Sequence, residues 1–561
     1  MNRVLISMGN TIVTVLFIVK GYFLNMRVNN KHLYYWIVLF VIINFRYLYY
    51  NYNYFPILDD NSMYGFFAKF KPVEIFQYFP DFIKTRPFAV LFDVFFISRI
   101  WNWSGLILFV MTVLLFVSCF FLYKVSQKVN IGIGYIAILF FALNPFGFEG
   151  YHWIAASSRL VGGLFFSSLA LYILVLIKDR YESGNKVIGL ILLFWVSHMI
   201  SMGFYEQVIA FTFISACALI LFLFRPLKRL WILVIPVINL VIMGFYYLQS
   251  AGSENIQARG NLLTEGFIKH GEIITEKTFL FFVVKQLKVI YYGALDGISL
   301  VVNDKSWWFI AVIIIISALM GLVIYKYFDK NKKQKYMYKI IVGIVLIFVP
   351  MMPFYILKTT WIDNRNLFLS IIGLGIVVET IVCFIANKKF LKLPMTFLVS
   401  FMLVIMMFGN IAEYANVRNI YLIDKRITSE CAFMIEQSSW KEEGKKLLFI
   451  LNKKENHSNI LTVTHFSNCT VAGWSFMGAF LYLQPQIDKS DVPPFETILD
   501  GSVILLDIEK IDEYMFHGFD KNQKLQNLVA EVGTEEIQLF YSNGDKYGKI
   551  KKEQDKYFFE F

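Results

Sequence analysis

The feature that most constrains this chain is a recurring run of apolar residues. A helix needs about 20 of them to cross the hydrocarbon core of a bilayer. Runs of that kind occupy residues 33–52, 105–123, 131–145, 156–177, 187–202, 205–224, 230–248, 307–325, 339–357, 366–386 and 393–412. The pattern predicts a polytopic α-helical membrane protein with about eleven transmembrane helices, or twelve if residues 4–24 also cross. Only 17% of the residues are charged, against roughly 25% in soluble chains. The N-terminus has a basic start and an apolar centre but no small-x-small cleavage site. It therefore reads as a first span or an interfacial helix rather than a removed signal peptide.

The formal net charge of +12 does not point to nucleic acid. Much of the surplus sits in short loops between apolar runs, in "RPLKR" (225–229), "KYFDKNKKQKYMYK" (326–339) and "NKKFLK" (387–392). Basic loops stay cytoplasmic, so the loops between them and the C-terminal tail are expected outside. Two outer segments are long, about 53–104 and 249–306, and mix apolar with charged residues at helical spacing. They read as helices in the membrane interface. After residue 412 short strand-like runs appear, among them "KKLLFILNKK", "NILTVTHF", "GSVILLDI" and "EIQLFYSNG". The expected organisation is a multi-span domain over 1–412 and a small extracytoplasmic α/β domain over 413–561. No phosphate-binding G-x-x-x-x-G-K-[ST] or G-x-G-x-x-G loop is present, which argues against an ATP-driven pump. Of five cysteines, Cys431 and Cys469 fall in the polar region and are the pair that an oxidising space would allow to join.

Ionisable residues at membrane depth need a reason. Asp59 and Asp60, in "LDDNSMY", follow the first confident span directly. Glu149, His152, Trp153 and Arg159 lie in one short outer loop, His198, Tyr205 and Glu206 in a second, and Asp363 and Arg365 in a third. Each sits near a helix end, where a bundle can bring them together. Helix capping and interfacial anchoring account for any one of them; as a set they predict a polar site. Arginine forks suit a phosphate, so Arg365 and Arg159 are the phosphate candidates. A carboxylate can take a proton from an attacking hydroxyl. Tyr151, Trp153 and Trp361 offer faces for sugar rings or for the interface.

These residues, in this order, resemble the GT-C superfamily of glycosyltransferases that use polyprenyl-phosphate sugars. The resemblance covers residues 33–412. It rests on the acid pair in the first outer loop, the interfacial helices of that loop, "NPFGFEGYHWIAASSRLVGGLFFSSLALYIL", "GFYEQVIAF", the late loop with Arg365 and the soluble C-terminal domain. It implies a GT-C-like bundle in the cell membrane with an outward active site. It also implies an inverting transfer of a sugar from a polyprenyl-phosphate donor to a hydroxyl on a glycan, glycolipid or protein. Asp60 or Asp59 would be the catalytic base, with Asp60 preferred. Glu149, His152, Trp153, His198, Tyr205, Glu206 and Asp363 would bind substrate. On cofactors the family divides between none and a divalent metal ion, Mg or Mn. The expected partners are the lipid-linked donor, the acceptor and membrane lipid, with no nucleic acid. The Trp-Trp-Asp signature of oligosaccharyltransferases is absent, which argues against protein N-glycosylation. A Wzy-like polysaccharide polymerase and a lipid-glycan flippase or transporter are the competing classes.

Overall fold

The computed structural model describes residues 30–78, 86–129, 133–224, 227–250, 266–328, 336–357, 362, 364–437, 440–451, 469, 473–484, 495–499, 503–504, 513–519, 524–533, 536–553 and 556–560. Residues 4–24, Trp361, Asp363 and the "NILTVTHF" run lie outside the described residues.

Seven described helical stretches are long and apolar enough to cross a membrane, and four shorter apolar helices stand beside them. Several of their hydroxyls bond back to their own helix, as lipid favours. Thr112 donates to Leu108 O at 2.9 Å and Ser118 to Leu114 O at 2.7 Å, each one turn back. Small residues set the closest crossings. A Cβ on Gly373 would overlap the Gly343 backbone, so helices Ser370–Ala386 and Tyr336–Phe348 meet backbone to backbone there.

The stretch Phe267–Asn303 is long enough to span, yet its partners gather at one end of the bundle. His270 Nε2 lies 2.8 Å from Phe354 O, and Thr275 pairs with the Tyr355 hydroxyl at 2.9 Å. Phe281 and Phe282 pack on Phe146, and Gly293 approaches Gly409. Tyr49 donates to Asp304 beyond its last turn at 2.5 Å. These partners stand within a few residues of the loops that hold the candidate site. A helix touching one end of a bundle along its whole length lies across that end, with its apolar stripe (Ile268, Leu287, Tyr291 and others) exposed.

The last bundle helix, Lys392–Gln437, has 46 residues. At 1.5 Å per residue it is about 69 Å long, far more than a bilayer core. The domain boundary expected at 412 therefore falls inside one helix, and the sheet domain begins after Gln437. The reason is visible in the spacing. Beyond 412 the run loses its all-round apolar character but keeps Ile427, Cys431 and Ile435 on one buried face, four residues apart.

That face packs on an eight-stranded mixed sheet, in the order β2-β1-β4-β5-β6-β7-β8-β3. The strands are β1 Lys446–Leu451, β2 Phe495–Leu499, β3 Val503–Ile504, β4 Tyr514–Phe519, β5 Leu525–Val532, β6 Glu536–Tyr541, β7 Lys546–Glu553 and β8 Lys556–Glu560. β1 runs parallel to β2 and β4, and β4 to β8 form an antiparallel meander. Strand side chains alternate faces. Leu448 and Ile450 enter one core with Phe516, Leu539 and Ile550, while Leu447 and Phe449 enter another with Cys431, Cys469 and Phe476. Both cysteines are reduced.

Candidate functional site

The site begins with a strained approach. Leu58 holds φ at +48°, a region that costs a branched residue roughly 1–3 kcal/mol. The chain can then turn straight into the helical turn Asp59–Ser62. From there Asp60 reaches the start of the helix Ile154–Glu182. Its Oδ1 accepts from Ala155 N at 2.8 Å. Its Oδ2 accepts from the Tyr54 hydroxyl and from Ile57 N, the latter at 3.3 Å. The Tyr54 oxygen in turn accepts from Ile154 N at 2.8 Å, and Trp153 Nε1 donates to Ile57 O at 3.2 Å. Residues 54–60 thus satisfy amides that the first helical turn cannot satisfy itself. Asp60 is fully buried, and that burial pushes its carboxyl up to about 8. Asp59 is half-buried and its carboxylate has no partner among the described residues.

One turn beyond Ala155, Arg159 places Nε 3.8 Å from Asp93 Oδ2. Asp93 opens the π-helical turn Asp93–Ile97 and is buried, with Arg159 and the Ser158 side chain beside its carboxyl. Asp59 and Arg86 are within electrostatic reach of it. Arg86 forks onto Glu206 with both bonds at 3.1 Å and lies 4.2 Å from the Tyr205 ring centroid. The Pro87–Phe92 helix is fixed next to that junction, because Phe88 N donates to Gly203 O at 3.1 Å.

A second wing adjoins Trp153. Glu149 is buried and its Oε2 accepts from Arg365 N at 3.2 Å, while the Arg365 guanidinium lies 5.2 Å from the Trp153 ring centroid. His152 is buried with neither ring nitrogen bonded. It packs 4.4 Å from Phe148 and 4.8 Å from Tyr414, ring to ring. Desolvation first, and Arg46 second, hold its pKa well below the usual histidine value, so the imidazole is neutral. Arg46 is itself buried, 3.8 Å from the Tyr151 ring centroid, and donates to Ala142 O at 2.9 Å.

Most of the residues singled out in the sequence therefore meet at one end of the bundle. Asp59, Asp60, Trp153, Glu149 and Arg365 form a contiguous set, and Arg159 joins it through the helix that Asp60 caps. Tyr205 and Glu206 enter through Arg86. His198 does not join them; its Nδ1 pairs with Asn239 at 3.0 Å, and Asn239 also bonds Trp195. Arg86 and Asp93 were missed. The signal was present, as a lone acid and a lone arginine in the apolar "TRPFAVLFDVFF". Among the described residues no three His, Cys, Asp or Glu side chains are placed to share a metal ion.

The sheet domain reaches the same place. Its helix Gly473–Leu483 crosses the Met63–Phe67 turn, where a Cβ on Gly65 would overlap the Gly478 backbone. Lys69 donates to Leu481 O. Asp424 Oδ1 accepts from Cys469 N at 2.8 Å, and Asn61, the residue after the acid pair, faces the same carboxylate.

No protein family, curated protein or solved structure matches the chain.

Proposed function

We propose that the protein is an integral-membrane glycosyltransferase that moves a sugar from a polyprenyl-phosphate donor to an acceptor hydroxyl at the extracytoplasmic face. The observation that supports this reading is the half-buried Asp59 beside the buried Asp60, with Arg159 on the helix that Asp60 caps and Arg365 against Trp153, at one end of an apolar helical bundle. Activated nucleotide sugars do not occur outside the cytoplasm, so a site on that face needs its donor on a lipid.

In the reaction the acceptor oxygen attacks the anomeric carbon as the bond from that carbon to the phosphate oxygen breaks, which inverts the centre. The acceptor proton passes to a carboxylate, as general-base catalysis requires. Asp59 suits this better than Asp60. Both Asp60 oxygens are engaged with the helix start, so Asp60 acts as a positioning residue. The departing lipid phosphate keeps the electron pair, and Arg365 meets the charge that develops on it. Glu149 fixes Arg365 by its backbone, and Trp153 supports the guanidinium from one face.

The test is sugar transfer by the purified protein from a panel of radiolabelled polyprenyl-phosphate sugars, beside Asp59→Asn and Asp60→Asn. Transfer from one donor, lost in Asp59→Asn with the protein still folded, supports the reading. Polymer formed only from a lipid-pyrophosphate oligosaccharide would move the protein to the polymerase class.

A further inference from the structure

We infer that Asp424 is a positioning residue, which clamps the acid-pair turn and the sheet domain to one helix and so sets the direction of Asp59; this rests on the reading just given. The inference starts from an acid in an apolar row. Ile420, Asp424, Ile427, Cys431 and Ile435 are buried along one face of the helix Lys392–Gln437. A leucine at 424 would continue that row, whereas a buried carboxyl is costly unless other groups bond it. The groups that meet Asp424 come from outside its own helix. Its Oδ1 accepts from Cys469 N at 2.8 Å, a few residues before the sheet domain's helix Gly473–Leu483. The side chains of Cys469 and Asn61 are also beside it.

Asn61 is itself buried and belongs to the helical turn Asp59–Ser62. That turn is therefore held on two sides. Asp60 reaches Ala155 N and the Tyr54 hydroxyl, and Asn61 meets Asp424. Successive residues of a helical turn point about 100° apart. With 60 and 61 anchored on different partners the turn cannot roll, and Asp59 is left in the remaining direction, half-buried. The sheet domain is drawn into the same clamp. Its helix Gly473–Leu483 crosses the turn where Gly65 approaches Gly478, and Gln484 donates to Ser429 Oγ at 3.1 Å, little more than one turn past Asp424. A displacement of about 1 Å at a reacting group can cost about a hundredfold in rate. The Arg365 and Trp153 wing makes no use of Asp424, so the clamp acts on turnover rather than on donor binding.

The test pairs turnover with hydrogen exchange in full-length Asp424→Leu, Asp424→Asn and Asn61→Ala, in lipid nanodiscs, with the polyprenyl-phosphate sugar that wild type transfers. In Asp424→Leu, kcat per folded molecule should fall about 10- to 100-fold while the donor KM stays within about twofold. Asn61→Ala should show the same split. The Asp424→Leu and Asn61→Ala double variant should be no slower than the slower single, since both remove one contact. Amides of 59–67 and 473–483 should lose protection together. If Asp424→Leu does not fold, Asp424→Asn decides. It keeps an acceptor for Cys469 N but loses the charge, and kcat should fall about tenfold. A merely structural acid would lower the yield of folded protein and leave kcat unchanged. That outcome, additive losses in the double variant, or exchange confined to one of the two segments overturns the assignment. Exchange is read without substrate, so the two claims fail separately. Joint loss of protection in a protein that transfers no sugar would keep the clamp and remove the proposed reaction, whereas transfer with unchanged kcat in the folded variants removes the clamp alone.

Discussion

Two buried acids in this bundle perform the same local task in different company. Asp60 closes the start of the helix Ile154–Glu182 through Ala155 N. Further from the site, Glu379 does the same for the helix Tyr135–Leu143, accepting from Ala137 N at 2.9 Å. It presses on Gly134, accepts from the Tyr327 hydroxyl at 3.3 Å and has Lys339 within electrostatic reach. Tyr35 and Tyr135 stack beside it at 3.7 Å. Glu379 thus has a counter-charge, and its surroundings close around it. Asp60 instead has a second carboxylate, the half-buried Asp59, for a neighbour. A buried acid is therefore no mark of function by itself; a buried acid with a like charge beside it in place of a counter-charge is the stronger candidate.

The sharpest test of that contrast is Asp59→Asn. Transfer should fall by about 10²- to 10⁴-fold, the usual weight of a general base, with unfolding temperature unchanged. Equal activity in the variant would break the distinction. Next comes Glu379→Ala, which leaves Lys339 buried without its counter-charge. It should cost about 3–5 kcal/mol of stability in detergent unfolding, while the folded fraction binds donor as wild type does.

Asp60→Asn should be milder, about 1–3 kcal/mol, since the amide oxygen can still accept from Ala155. Its pH dependence is the more telling readout. In the folded chain Asp60 keeps its proton up to about pH 8, whereas in the unfolded chain it loses it near pH 4. The folded state binds more protons in that window. This contribution to stability is thus complete below about pH 4 and is lost as the pH rises to about 8. Asp60→Asn should remove that slope, and a slope that survives would mean another group carries it. The smallest effect is expected from Arg365→Lys, which keeps the charge but not the planar fork. Donor affinity should drop about tenfold in a direct titration.

Much of this arrangement was legible in the sequence, because membrane helices announce themselves by length and apolarity, and polar residues at their ends stand out against that background. The short loops with Glu149, His152, Trp153 and Arg365 could be placed beside Asp59 and Asp60 for that reason. Side-chain direction was not legible. Whether Asp59 or Asp60 faced outward depended on the strained turn at Leu58, which no periodicity reveals. His198 looked like its loop neighbours but sits inside a helix, where Asn239 on another helix claims it. Asp93 and Arg86 were hidden in a stretch that read as interfacial packing. In the C-terminal region the strong apolar runs of β1 and β6 showed as strands. The charged β7, "KYGKIKKE", did not, since its place is set by pairing with β6 and β8 rather than by its own composition.

The contact between Lys69 and Leu481 joins residues 412 positions apart. At about 5–20 residues per second, a ribosome needs roughly 20–80 s to travel between them. The acid-pair turn is therefore made early and must wait, already delivered to the membrane, until nearly the whole chain has been synthesised. Completion of the site is a late event in the life of each molecule. A nascent chain stalled between residues 366 and 472 would hold its acids and arginines without the helix that packs on the acid-pair turn.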